Sequence, residues 1–139
     1  MIVLDTNVLS EAISPVPSAA VLGWLAAQES HDLFTTVVTQ AELLYGVELL
    51  PAGKRRARLL DAVEKFFAVD LQTEILPFDE ECARAFANLM ASRVRLGRPM
   101  SQFDGMNAAI AVIHRAAVAT RDVAGFAGCG IEIINPWSE

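Results

Sequence analysis

Residues 1–11 read Met-Ile-Val-Leu-Asp-Thr-Asn-Val-Leu-Ser-Glu. Ile2, Val3 and Leu4 form an apolar run without alternation, which suits a short strand buried on both faces of a helix-covered parallel sheet. Asp5 ends that run. Thr6 and Asn7 favour turns and helix N-caps, and Val8, Leu9, Ala12 and Ile13 then recur at helical spacing. A carboxylate thus stands where a buried strand hands over to a helix, the edge at which open α/β sheets bind ligands.

Beyond this start, Pro15 and Pro17 break the pattern, and Ser18 precedes a second helix through Val21, Leu22, Trp24 and Leu25. Leu33 to Thr36 reads as a second strand, and Val38 to Leu50 as a helix containing Glu42 and closed by Pro51 and Gly53. Lys54, Arg55, Arg56 and Arg58 open a further helix running to Phe67, where basic residues oppose the helix dipole. Ile75 and Leu76 before Pro77 suggest a brief edge strand, because proline cannot donate to a ladder. Asp79, Glu80 and Glu81 suit the cap and first turn of the next helix. Gly97 and Pro99 end that helix, and Ser101 caps another with Asp104 in its first turn and a stripe of Phe103, Met106, Ala109, Ile110 and Ile113. Ala117 to Thr120 forms a buried strand ended by Arg121 and Asp122, and a last strand spans Ile131 to Ile134. The order β-α-α-β-α-α-β-α-α-β-α-β predicts a three-layer α/β/α sandwich around a mainly parallel five-stranded sheet.

A chain of 139 residues fits one domain, residues 1–139, able to bury roughly two-thirds of its unfolded surface. The hydrophobic share of 53% lies above the usual range of about 45–50%, which argues against disorder. Eleven Lys plus Arg against 17 Asp plus Glu give a net charge of −6, so broad electrostatic attraction to nucleic acid or anionic membrane is not expected. A bound divalent cation would offset acids gathered in one place. Cys82 and Cys129 match no metal or redox spacing and read as reduced thiols. With no signal-like segment and no apolar stretch long enough to span a bilayer, a cytoplasmic protein without membrane association is the expectation.

In a parallel sheet the helices that return between strands start beside the strands' C-terminal edge. Asp5 and Asp122 belong to that edge directly, Asp104 through the first turn of its helix, and Glu42 within about a turn of another helix start. Four carboxylates from distant positions can therefore face one crevice if the sheet order brings their strands together. Two unit charges about 4 Å apart repel by about 4 kcal/mol at an effective dielectric near 20, so such a group protonates or binds a cation. Oxygen-only ligands favour Mg²⁺ or Mn²⁺, which can promote in-line hydrolysis of a phosphodiester. Each acid also has a plain structural reading: a helix cap for Asp5 and Asp122, a solvated helix position for Glu42, dipole compensation for Asp104. Their common edge favours the joint reading. Asp79, Glu80 and Glu81 read as dipole compensation, and His31 and His114 as surface or packed side chains. No Gly-rich phosphate loop or nucleophile elbow is present.

With these residues assembled, the chain resembles the PIN-domain ribonucleases, in particular the VapC-like toxins of type II toxin–antitoxin pairs and their FitB branch. The resemblance rests on an ordered set: Leu4-Asp5-Thr6-Asn7-Val8-Leu9-Ser10-Glu11, Ala41-Glu42-Leu43 with Tyr45-Gly46-Val47, and Leu76-Pro77-Phe78-Asp79. Asp104-Gly105 before an Ala-rich helix, Ala119-Thr120-Arg121-Asp122 with Phe126, and Asn135-Pro136-Trp137 complete it. It implies that Asp5, Glu42, Asp104 and Asp122 are catalytic and metal-binding, supported by Asn7 and Thr120. It further implies Mg²⁺- or Mn²⁺-dependent cleavage of RNA, an antitoxin that blocks the site and carries the complex to operator DNA, and a homodimer or larger heteromeric assembly. Two positions depart from the family pattern. Gly125 stands where many relatives place an acid before the Phe, and Asn107 replaces an apolar residue usual after Asp104. The basic group at 54–58 reads as a solvated helix face, with RNA guidance as the alternative.

Two other classes compete with the toxin ribonuclease. One is an inactive PIN-like protein that only binds a partner. The other is a receiver-like phosphoacceptor domain, which also gathers acids at a parallel sheet edge but is disfavoured by the lack of an Asp ending the third strand and a Lys ending the last.

Overall fold

Ile2–Leu4 forms β1, the central strand of a five-stranded sheet in the order β3-β2-β1-β4-β5. The structure, a computed structural model, describes residues 1–138. Its elements run β1, α1 (Thr6–Ala12), α2 (Ala19–Ala27), β2 (Leu33–Thr36), α3 (Val37–Leu49), α4 (Lys54–Lys65) and β3 (Ile75–Leu76). They continue with α5 (Glu80–Arg95), α6 (Gln102–His114), β4 (Ala117–Ala119), α7 (Val123–Phe126) and β5 (Ile133–Ile134). All four strand pairings are parallel, so the expected three-layer α/β/α sandwich is the observed one.

Alternate β1 side chains serve opposite faces, as the two-residue period of a strand requires. Val3 joins Leu76, Ile110, Ala111, Val118 and Phe126 in one core, under α5, α6 and α7. Leu4 joins Val8, Leu9, Val21, Leu43, Val47, Val63 and Ala119 in the other, under α1 to α4. Full burial of each Leu or Phe in these layers contributes roughly 1.5–3 kcal/mol, and Leu4, Leu9, Leu76 and Phe126 all reach it.

The chain leaves β1 toward β2 and β3, then returns to place β4 on the other side of β1. That reversal makes a topological switch point between β1 and β4, and a crevice opens beyond the carboxyl ends of such strands. Leu4 pairs with Ala119, so Asp5 and Thr120 emerge at the same level. The order differs from the 2-1-3-4-5 of receiver-type sheets, which removes the fold basis for the phosphoacceptor reading.

Two boundaries differ most from expectation. The last strand begins at Ile133 rather than Ile131, because Gly130 at φ 74° turns the chain just before it. Ile131 still packs against the first core. The helix opened by Lys54 gives way at Phe66 to a π-helical turn over Phe66–Asp70. Asp122 is the N-cap of α7, the helix-cap role that its position after a strand allowed. β3 is an edge strand, as Pro77 suggested. Among the described residues no helix is long and apolar enough to cross a membrane.

Candidate functional site

Asp5 is the N-cap of α1 but makes no side-chain capping bond, so its carboxylate is directed to other partners. It is 4% exposed, and both oxygens are engaged. Thr120 Oγ1 donates to Oδ2 at 2.9 Å, and Asn107 Nδ2 donates to Oδ1 at 3.3 Å. The Asp5 backbone N–H extends the ladder by donating to Ala119 at 2.9 Å. Thr120 Oγ1 in turn accepts from Asn7 Nδ2 at 3.1 Å and from the Asp122 N–H at 3.0 Å. Asn7 and Thr120, the expected supporting residues, therefore tie β1, β4 and α1 together around Asp5.

On the other side of Asp5 a hydroxyl relay leads to Glu42. Asn107 Nδ2 also donates to Thr39 Oγ1 at 3.1 Å, whose hydroxyl lies 3.0 Å from that of Thr6. Thr6 Oγ1 donates to Glu42 Oε1 at 2.7 Å. Thr36, the N-cap of α3, accepts the Thr39 N–H at 3.0 Å and donates its own proton to Asn107 Oδ1 at 2.6 Å. Asn107 is fully buried, and every buried side-chain polar atom among the described residues has a partner. Such a saturated network fixes side-chain aim, since an unmade buried hydrogen bond costs about 1–3 kcal/mol.

Asp104 lies in the first turn of α6, where its N–H donates to the capping Ser101 Oγ at 3.1 Å. Asp122 Oδ1 accepts from the Gly125 N–H at 3.0 Å. A side chain at 125 would collide with that carboxylate: a Cβ built on Gly125 falls 2.2 Å from Asp122 Oδ2. Asp5, Glu42, Asp104 and Asp122 all line one open cleft of about 630 Å³ at the switch point, together with Glu11, Arg121 and Trp137.

The acids influence one another. Burial pushes the Asp5 carboxyl above its ordinary value and the Asp104 charge adds to this, against the lowering effect of its hydrogen bonds. Burial likewise raises Glu42, with the charges of Asp5 and Asp104 contributing. Asp104 is raised by burial and by the charge of Asp122. Among the described residues no group of three or more His, Cys, Asp or Glu side chains is close enough together to hold a metal ion as it stands. The acids share the cleft and raise one another's proton affinity, a repulsion that a cation entering between them would relieve. Open oxygen sets suit Mg²⁺, which keeps several waters and takes few protein ligands, and Mn²⁺ accepts the same donors.

Other residues lie elsewhere. Asp79 caps α5 by accepting the Cys82 N–H at 3.0 Å, with Glu80 and Glu81 in the first turn, and none of the three lines the cleft. His31 is exposed beside Glu29 and Asp32, and His114 sits in the last turn of α6. Of the basic group, Arg56 pairs with Glu48 at 2.8 Å, while Arg55 and Arg58 edge a second pocket of about 400 Å³ that shares Thr6, Ser10, Ser14 and Glu42 with the cleft. Sequence reasoning missed Thr6, Thr36 and Thr39 as site supports and Glu11, Arg121 and Trp137 as cleft residues. Asn107 was visible only as a polar residue at a position expected to be apolar, and that oddity was the available signal.

Residues 2–127 match the family described as PIN domain. The protein named VapC ribonuclease Y4jK of Sinorhizobium fredii is 44% identical over 137 residues, covering 99% of this chain and 98% of its own. Toxin FitB of Neisseria gonorrhoeae is 37% identical over 139 residues, with full coverage of both chains. Among solved structures, that of FitAB bound to an IR36 DNA fragment superposes with a TM-score of 0.90 at 36% identity, covering 99% of this chain and 96% of that one.

Proposed function

Because the chain belongs to the PIN-domain family, in its VapC- and FitB-like group, we propose that it is a toxin endoribonuclease of a type II toxin–antitoxin pair. One observation carries the reading. Carboxylates separated by up to 117 residues, from Asp5 to Asp122, line one cleft at the switch point. In this reading Asp5, Glu42, Asp104 and Asp122 hold Mg²⁺ or Mn²⁺. When bound, the ion supplies Lewis acidity and charge neutralisation for hydrolysis of an RNA phosphodiester.

The chain's own residues do the remaining work. Asp5 is aimed by Thr120 and Asn107, and Asn7 holds Thr120. Glu42 keeps one oxygen on Thr6, and its other oxygen makes no hydrogen bond to the described residues. Glu42 lines the cleft with that oxygen unengaged, which suits it to holding the ion in this reading. Asp122 is held at the cleft rim by the backbone of α7.

Asp5→Asn and Asp104→Asn are each expected to lower RNA cleavage at least about 100-fold while far-ultraviolet circular dichroism stays native. Loss of the Mn²⁺-induced rise in thermal midpoint is expected with it. Full cleavage by folded, purified Asp5→Asn would falsify the assignment. We further propose a cognate antitoxin that covers the cleft and connects the complex to operator DNA, together with self-association as a homodimer. The similarity to FitAB, solved with a bound DNA fragment, supports the link to DNA. A short DNA-binding reading frame beside this one, and co-purification of its product, would check the pairing.

A further inference from the structure

We propose that Arg121, held over Trp137 at the cleft, is the anchor for a phosphate of the RNA strand; this rests on the ribonuclease reading above. Arg121 is the one cation among the described residues lining the cleft, which carries five carboxylates. A polyanion entering that field needs a positive contact beside the acids. Arg121 is available for it, since among the described residues it makes no ion pair.

Its guanidinium carbon lies 5.0 Å from the centre of the Trp137 ring. A guanidinium held over an aromatic ring by its charge keeps its N–H donors for other partners, and those of Arg121 make no hydrogen bond to the described residues, so they can take a phosphate through two parallel hydrogen bonds. Both partners are fixed from behind. The Arg121 N–H donates to Asn7 Oδ1 at 3.2 Å, and Asn7 is bonded through Thr120 to Asp5. The Trp137 N–H donates to Asn135 Oδ1 at 3.0 Å, and its ring packs on the second core. The anchor is thus held in register with the carboxylates through backbone bonds that survive a side-chain change at 121.

The test is steady-state cleavage of a heteropolymeric single-stranded RNA, a phage genomic transcript, with Mn²⁺. Arg121→Ala is expected to raise KM roughly tenfold with a much smaller change in kcat. The salt dependence of log kcat/KM should flatten by about 0.7. The Mn²⁺ requirement should not rise, because a cation near the acids has been removed. Arg121→Lys should restore the salt slope but only part of KM, since an ammonium neither stacks flat nor forks. Trp137→Leu, with its fold checked by thermal midpoint, should raise KM while leaving the salt slope near wild type. Wild-type KM and slope in Arg121→Ala overturn the inference, as does an effect confined to the Mn²⁺ requirement. Absence of cleavage by the wild-type protein instead overturns the ribonuclease reading itself.

Discussion

Replacing Asn107 by leucine keeps the branched shape but adds bulk at a fully buried position and removes three hydrogen bonds. The Thr36 hydroxyl loses its acceptor, and Thr39 and Asp5 lose a donor. We expect Asn107→Leu to cost about 2 kcal/mol of stability in denaturant unfolding. Cleavage should fall further than stability explains, because Asp5 Oδ1 is left without its positioning partner. Asn107→Asp should fare worse, since it adds a carboxylate 3.3 Å from another at the Nδ2 position. A Leu variant with native stability and activity would show that the network has no aiming role.

Among the elements, α6 carries Asp104 to the cleft, and its approach to α5 depends on the absence of a side chain at Gly105. A Cβ there falls 2.5 Å from Met90 Sδ and 3.1 Å from the Phe86 ring. Met90 is flexible, so Gly105→Ala should be mild. Gly105→Val should cost about 1–3 kcal/mol and displace the first turn of α6, lowering cleavage as Asp104 moves. Thermal unfolding and activity of the two variants check this, and equal behaviour of Ala and Val would count against the close-approach explanation. Several helices were legible because their caps are local: Ser18, Asp79 and Ser101 each accept from an N–H three residues on, as does Thr36, whose capping role the strand reading hid.

For the whole molecule, the raised carboxyls set a pH dependence. Asp5, Glu42 and Asp104 bind protons more tightly when folded than the ordinary carboxyl does. Above the unfolded pKa of about 4, the native state therefore holds more protons than the unfolded chain, and stability falls as pH rises through the raised values. The metal-free thermal midpoint of the wild type should drop more between about pH 4 and pH 7 than that of Glu42→Gln. Mn²⁺ should raise the wild-type midpoint more at the upper pH, and an equal rise at both would contradict the coupling. Asp5, Asp104 and Asp122 were readable from sequence because strand ends and helix first turns have local signatures, whereas Glu42, beyond the first turn of α3, had only its apolar neighbours to mark it. The meeting of the four acids was conditional on the strand order, which depends on contacts no local pattern records. Asn107 reaches Asp5 across 102 residues and Thr39 across 68, and Arg121 meets Trp137 only after β5 has been laid beside β4. Those partners had no periodic or capping signal of their own.

The Asp122 carboxylate occupies the space that a side chain on residue 125 would need. In this cleft the two positions are alternatives. An acid introduced at 125 would not simply add a charge beside those already present; it would evict Asp122 from the backbone N–H that holds it. Substitutions at the two sites are therefore coupled, because any side chain at 125 has to turn the exposed Asp122 carboxylate to a new position.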